Sequence, residues 1–195
     1  MDPINLLLGI NLFVSMSANL SGAKKGLKTS ITKVADRPQT YLQKTPPNIA
    51  VFVLLLVILA VFKIGTLPEE YELKFIMLRL IGLVMYVIFS WTQVVAYRSL
   101  GKDYAQEIVV LKQHELHTGG FYKYIRHPQY LSQILSDLGA GIALLGYIII
   151  PVVLLIEFPL FILRAAAEDK LLEKHFNKEY KEYKKKTGFM IPFIG

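Results

Sequence analysis

The sequence contains no cysteine, which excludes disulfides, thiolate zinc sites and thiol nucleophiles and leaves the redox compartment open. It is also poor in charge. Charged residues make up 19% against a hydrophobic share of 53%, too apolar for an ordinary soluble domain of 195 residues. There is no glycine-rich dinucleotide fingerprint. No nucleic-acid recognition motif accompanies the formal charge of +7, and the basic residues lie between and after apolar runs, where membrane topology puts them, rather than in one soluble basic module.

What the chain does have is long apolar runs. Ile4 to Leu20 reads as a first span rather than a signal peptide, because Asp2 stands where a basic region belongs and no small-x-small cleavage site follows. Ile49 to Leu67 is long enough to cross hydrocarbon. A third span runs from about Lys74 to Tyr97, with Arg79 snorkelling near its start and Trp91 and Tyr97 as interfacial aromatics. A fourth begins near Pro128 and continues to about Ile150; Pro151 then allows a tight reversal into a fifth, Val152 to about Leu163. Gly139, Ala143 and Gly146 form a small-residue stripe. It either brings the two helices of that hairpin close or merely reflects the frequency of glycine in membrane helices.

Loop charges set the orientation. The 21–48 connection carries Lys24, Lys25, Lys28, Lys33, Arg37 and Lys44 against Asp36 alone, whereas the turn around Pro68 holds Glu69, Glu70 and Glu72. The positive-inside rule places the first in the cytoplasm and the second outside. Five spans then put the N-terminus outside and both the basic 101–126 segment and the C-terminal tail in the cytoplasm.

Two stretches carry chemistry. In "GGFYKYIRHPQYLSQIL", Pro128 suits the first turn of a helix, whose free N–H groups and positive dipole end can cradle a carboxylate or phosphate. Arg126 and His127 add donors, Gly119 and Gly120 permit close backbone approach, and Tyr122, Tyr124 and Tyr130 can stack or hydrogen-bond. Each also has a structural reading, as a positive-inside base, a membrane-belt tyrosine or a satisfied histidine; the ordered combination is the more specific signal. The second stretch follows the fifth span, which covers only about 18 Å of a hydrocarbon layer of about 30 Å. Arg164 and Glu168 therefore lie at the hydrocarbon boundary, four residues apart, where they pair with each other or line a cavity. Asp137 and Glu157 pair with Arg79 or Lys63, or line a tunnel. Beyond them Leu171, Leu172, His175, Phe176, Tyr180 and Tyr183 share one face of an amphipathic helix, lying on headgroups or docked on the protein.

"HELHTGGFYKYIRHPQY", followed after a hairpin by "RAAAEDKLLEKHFNKEYKEYKKKTGFMIP", resembles the isoprenylcysteine carboxyl methyltransferase family of integral membrane enzymes, in its archaeal or bacterial form, with phospholipid methyltransferases among its relatives. The resemblance covers roughly residues 113–195. It implies S-adenosylmethionine as cofactor, bound outside any Rossmann fold. The family's H-x-L-V-T-x-G-x-Y is matched by His114, Leu116, His117, Thr118, Gly120 and Tyr122, with histidine in place of valine at His117, and implies an adenosine-wrapping segment. R-H-P-x-Y is matched by Arg126, His127, Pro128 and Tyr130, implied to surround the methionine moiety. R-x-x-x-E-E is matched by Arg164 and Glu168, with Asp169 for the second glutamate; Glu168 is then a cofactor ligand and Arg164 the catalytic residue that orients the acceptor.

The fold expected is an all-α membrane bundle of about five transmembrane helices forming one domain over 1–195, with three spans in 1–100 and the catalytic region in 101–195, including a hairpin over about 128–163. The function expected is methyl transfer from S-adenosylmethionine to a lipophilic acceptor, most naturally a carboxylate of a prenylcysteine-like or other lipid, with membrane lipids and no nucleic acid as partners. Alternatives are N-methylation of a phospholipid amine and an NADPH-dependent sterol or enone reductase. Such reductases share a basic-His-Pro-x-Tyr element but carry asparagine at Gln129 and an Arg-Asp pattern where Glu168 and Asp169 stand. A non-catalytic membrane scaffold would bind neither cofactor.

Overall fold

The computed structural model describes residues 2–32, 34–101, 104–105, 107–112, 114–192 and 194, with backbone alone over 21–32. The first helix, α1 (Pro3–Thr32), has 30 residues and runs past the expected boundary at Leu20 into the polar stretch. The side chains of Lys24, Lys25 and Lys28, and Lys33 as a whole, lie outside the described residues. Strand β1 (Val34–Asp36) is followed by a 3-10 turn, Tyr41–Gln43, capped by the Thr40 side chain. Helix α2 (Thr45–Val61) opens with Pro46 and Pro47, whose missing N–H groups cost nothing in a first turn. Then come α3 (Glu70–Lys74), α4 (Ile76–Leu100), strand β2 (Val110–Leu111), α5 (Pro128–Ala143), α6 (Ile149–Val152), a π-helical turn over Val153–Glu157, α7 (Phe158–Phe176) and α8 (Lys178–Lys186). Among the described residues the helices are accompanied by an antiparallel β1–β2 ribbon, in which Val34 faces Leu111 and Asp36 faces Val110.

Among the described residues, four stretches are long and apolar enough to cross a membrane: Pro3–Leu20, Tyr41–Val61, Ile76–Leu100 and Ile149–Phe176. The fourth span expected from Pro128 is instead α5, which has 16 residues. Its chain reverses at 144–148, where Leu145 takes a positive φ of 54° and its carbonyl accepts the Leu67 N–H. Pro151, expected to make the reversal, sits in α6, where its lost donor falls in the first turn.

Helices α4 and α5 pack closely. A Cβ on Gly82 would lie 2.5 Å from the Ala143 amide nitrogen, and one on Gly139 would lie 2.7 Å from that of Tyr86. The stripe of Gly139 and Ala143 therefore serves the α4 interface, not the hairpin. Gly146 lies in the turn, where a Cβ would meet Ile149, and Gly141 is the α5 residue that faces α6. The apolar core gathers Leu8 of α1, Val53 and Val57 of α2, Tyr86 of α4 and Ile134 and Ala140 of α5.

Arg79 does not snorkel. It is 1% exposed and points inward, where Nε donates to the Ala143 carbonyl at 3.0 Å and Nη2 to Asp2 Oδ2 at 2.6 Å and Asn5 Oδ1 at 2.9 Å. Tyr97 is likewise buried, its hydroxyl donating to the Ala18 carbonyl. Burial alone would raise the Asp2 carboxyl, but hydrogen bonds from Arg79 and from the Asn5 and Ile4 amides, together with the Arg79 charge, hold it below its usual value. A carboxyl whose folded pKa is depressed stabilises the fold above its unfolded pKa of 3.8, and that contribution is lost as pH falls through the folded value. Asp2→Asn should thus melt earlier than wild type at about pH 6, with the gap closing below about pH 3. Thermal unfolding in detergent across that range checks this, and a gap independent of pH would contradict it.

Candidate active site

Three segments distant in sequence meet at one end of the bundle: 34–43, 104–127 and 164–192. The tail docks beside the motif stretch, with the Arg126 N–H donating to the Gly188 carbonyl at 2.9 Å, His127 N–H to Phe189 at 3.2 Å and Gly188 N–H to Tyr124 at 3.0 Å. The face of α7–α8 that carries Leu171, Tyr180 and Tyr183 is buried against the protein, so the amphipathic helix is docked; His175, expected on that face, is exposed. Asn177, at φ 47°, breaks the expected single helix in two.

Asp169 is the anchor of this end. One carboxylate oxygen faces His127 Nε2 at 2.8 Å and accepts from the Tyr180 hydroxyl; the other accepts from Arg126 Nε at 3.1 Å. Arg126 Nη1 also donates to the Thr187 carbonyl at 2.7 Å. Burial and the adjoining Asp169 carboxylate push the Tyr180 hydroxyl well above the ordinary tyrosine range, so it stays a donor. Burial pushes Tyr183 up to about 12, and its hydroxyl donates to the Tyr122 carbonyl at 2.6 Å. Arg126 and His127, expected to add donors for a bound anion, thus direct these groups to Asp169 and the tail. His127 supplies no side-chain cap to α5. Its Nδ1 lies 3.7 Å from Glu168 Oε2.

Arg164 and Glu168, expected either to pair or to face a cavity, are joined through a third residue. The Tyr130 hydroxyl donates to Glu168 Oε2 at 2.9 Å and accepts from Arg164 Nε at 3.0 Å. Arg164 Nη1 donates to the Leu42 carbonyl at 2.6 Å and the Gln43 carbonyl at 3.1 Å. That turn is held in place by Gln43, whose amide group exchanges two hydrogen bonds with the backbone of Ile108, at 2.8 and 2.9 Å.

Two cavities abut at Gln129 and Tyr130. The first, of ≈ 90 Å³, is lined by His114, Leu116, His117, Tyr122, Arg126, His127 and Glu168 among others. A preformed small-molecule site holds about 300–1,000 Å³, so a nucleoside-sized ligand requires this wall to widen. The second, of ≈ 340 Å³, lies between α1, α2, α4 and α5, with Arg164 in its lining. Of the expected site residues, Gly120 and Pro128 line neither cavity. Gly120 sits at φ 58° and shapes the backbone, and Pro128 is buried at the first turn of α5.

The motif pattern does not mark Asp169 as the anchor, the carbonyls of Leu42 and Gln43 as partners of Arg164, Tyr180 as a donor to Asp169 or Tyr183 as a donor to Tyr122. Two tyrosines three apart on an otherwise lysine- and glutamate-rich helix were the available signal.

Residues 80–174 match the family model described as isoprenylcysteine carboxyl methyltransferase. The chain belongs to this family. The matched region holds the motif stretch, Arg164, Glu168 and Asp169, and stops short of Tyr180. Together with the four apolar helices, membership makes the chain an integral membrane protein. It is 29% identical over 127 residues to the protein-S-isoprenylcysteine O-methyltransferase of Saccharomyces cerevisiae, covering 64% of this chain and 53% of the relative. It is 30% identical over 129 residues to a probable protein-S-isoprenylcysteine O-methyltransferase of Oryza sativa subsp. indica, covering 65% and 66%. The chain thus spans about half the length of the yeast relative. The fold resembles that of the eukaryotic intramembrane Ras methyltransferase, an isoprenylcysteine carboxyl methyltransferase, with a TM-score of 0.65 at 21% identity, over 100% of this chain and 69% of that one.

Proposed function

We propose that the protein transfers a methyl group from S-adenosylmethionine to the carboxylate of a lipophilic, prenylcysteine-like acceptor. The observation that carries this reading is the division of the site at Tyr130: Glu168 lines one cavity, Arg164 the other, and a single hydroxyl links them. The donor set fits the cofactor. His117 Nε2 is buried in the first cavity's wall with no hydrogen-bond partner among the described residues, so a polar atom awaits a ligand there. His114, Leu116, His117 and Tyr122 would surround the adenosine, and Glu168 would hold its cationic or hydroxyl-bearing part. When bound, the cofactor supplies an electrophilic methyl group on a sulfonium.

Arg164 orients the acceptor carboxylate from the other side of Tyr130. A carboxylate is already ionised at neutral pH, so the chain's task is alignment and exclusion of water rather than proton removal. An amine acceptor would need a base. The two candidates, His127 and Glu168, line the first cavity and not the second, which favours O-methylation. The matches named above side with methyl transfer over reduction. The basic loops at this end of the bundle support an active site facing the cytoplasm.

The test is calorimetry of the detergent-purified protein with S-adenosylmethionine and with NADPH, followed by label transfer from methyl-labelled cofactor to a farnesyl-thiol acid. S-adenosylmethionine should bind and the acid should be esterified. Binding of NADPH alone, or of neither, overturns the reading.

A further inference from the structure

The polar groups deep in the second cavity are matched within the protein. Asn11 Nδ2 donates to the Ser90 hydroxyl at 3.1 Å, Gln93 donates to Gln133, and Gln133 donates to Asp137, which adjoins Glu157. Arg79 and Lys63, expected from the sequence as partners of these two acids, are held elsewhere. Arg79 meets Asp2, and Lys63 meets Glu69 at 2.7 Å and Glu72 at 3.1 Å. Uncommitted polar atoms stand instead at the partition between the two cavities.

Methyl transfer requires the reacting atoms to come within about 3.5 Å of each other, so two ligands in neighbouring cavities meet at the wall that both share. Among the described residues three line both cavities: Ala105, Gln129 and Tyr130. Ala105 has no polar side-chain atom, and the Tyr130 hydroxyl already donates to Glu168 and accepts from Arg164. Gln129, in the first turn of α5, is less committed. Its Nε2 donates to the Tyr104 hydroxyl at 3.4 Å, which leaves it a second N–H, and its Oε1 has no hydrogen-bond partner among the described residues. Tyr104 lines the second cavity and not the first. The amide is therefore turned with its nitrogen toward the acceptor side and its oxygen toward the cofactor side.

That polarity suits the reaction. A carboxylate oxygen bonds to the methyl carbon as the carbon–sulfur bond breaks, and the electron pair of that bond stays on sulfur. The negative charge on oxygen and the positive charge on sulfur cancel, and no proton moves. A charged side chain at the meeting point attracts one of the two groups and repels the other. A neutral amide serves both, with a donor for the carboxylate and an oxygen for the positive centre. We propose that Gln129 is a catalytic residue at the cavity junction, where its Nε2 holds the acceptor carboxylate alongside Arg164 and its Oε1 faces the sulfonium end of the cofactor. This rests on the methyl-transfer reading above.

The test uses the full chain in phosphatidylcholine nanodiscs, as wild type, Gln129→Leu and Gln129→Glu. Calorimetry gives the affinities for S-adenosylmethionine and for S-adenosylhomocysteine, whose sulfur is neutral, and displacement of a radiolabelled farnesyl-thiol acid gives the acceptor affinity. Single-turnover label transfer gives the rate. In Gln129→Leu the ratio of S-adenosylmethionine to S-adenosylhomocysteine affinity should fall about tenfold from its wild-type value, and the acid should bind about tenfold more weakly. Transfer should slow by about 100-fold. Gln129→Glu should raise the same ratio above wild type and weaken the acid further than leucine does, since a carboxylate then faces a carboxylate. A Gln129→Leu protein with the wild-type ratio and the wild-type acid affinity, whatever its thermal midpoint, overturns the proposal and leaves methyl transfer standing. So does a Gln129→Glu protein that binds the acid as tightly as wild type. Wild type that binds cofactor and acid without transfer removes the methyl-transfer reading, and the proposal with it. If Gln129→Leu does not fold, the isosteric Gln129→Glu decides alone.

Discussion

Arg164→Ala is expected to keep S-adenosylmethionine affinity within about threefold of wild type and to lower methyl transfer by about 1,000-fold, whereas Glu168→Ala should lower cofactor affinity by about 100-fold. The asymmetry comes from the position of the two side chains on either side of Tyr130. Glu168 faces the first cavity and Arg164 the second. Tyr130 donates to Glu168 whether or not Arg164 is present, so removal of the guanidinium leaves the cofactor side furnished. Removing it also releases the carbonyls of Leu42 and Gln43, so some thermal stability should go with it. Arg164→Lys separates these effects: it keeps the charge but loses the planar fork that can hold two carbonyls and a carboxylate at once. Isothermal titration gives affinity, and single-turnover label transfer gives the rate. Equal retention of activity in the two alanine variants would falsify the division of roles.

Much of this site could be read along the chain, because its signals are local. Pro128 marks the first residue of α5, as a residue without an N–H donor does at a helix start. The spacing of Arg164 and Glu168 put both on one helical face, and both prove to contact the same hydroxyl. Periodicity names a face but not the neighbour that covers it. That is why the pattern leaves Gly139 and Ala143 between hairpin packing and the mere frequency of glycine when they meet α4, and puts Arg79 at a lipid interface when Asp2, 77 residues away, holds it. Pro151 looked like a reversal because proline ends helices; it equally begins them, and the turn falls at Leu145 instead. Glu157 closes a π-helical turn just before Pro159. A widened turn rearranges the backbone bonds around a residue that cannot donate, and nothing in the composition announces it.

The second large effect is expected at Asp169. Asp169→Ala should cost about 3–5 kcal/mol of stability and abolish cofactor binding, although Asp169 is absent from the lining of both cavities. The loss leaves the Arg126 guanidinium, 6% exposed at residue level, without the carboxylate at its Nε, and it frees His127 and Tyr180 from their common partner. Those residues fix the 126–130 stretch against the tail, so the first cavity loses its shape before any ligand contact is touched. Tyr180→Phe removes one of the three donors and should cost only about 1–2 kcal/mol, with cofactor affinity reduced by about tenfold or less. The pair of variants tells an anchor from a ligand. An anchor moves the thermal midpoint and the affinity together, in the order Asp169→Ala then Tyr180→Phe. Were Asp169→Ala to lose affinity at an unchanged midpoint, Asp169 would be a direct cofactor ligand. Because Tyr180 lies past the end of the family match at residue 174, a measurable effect there would assign the tail to the working site.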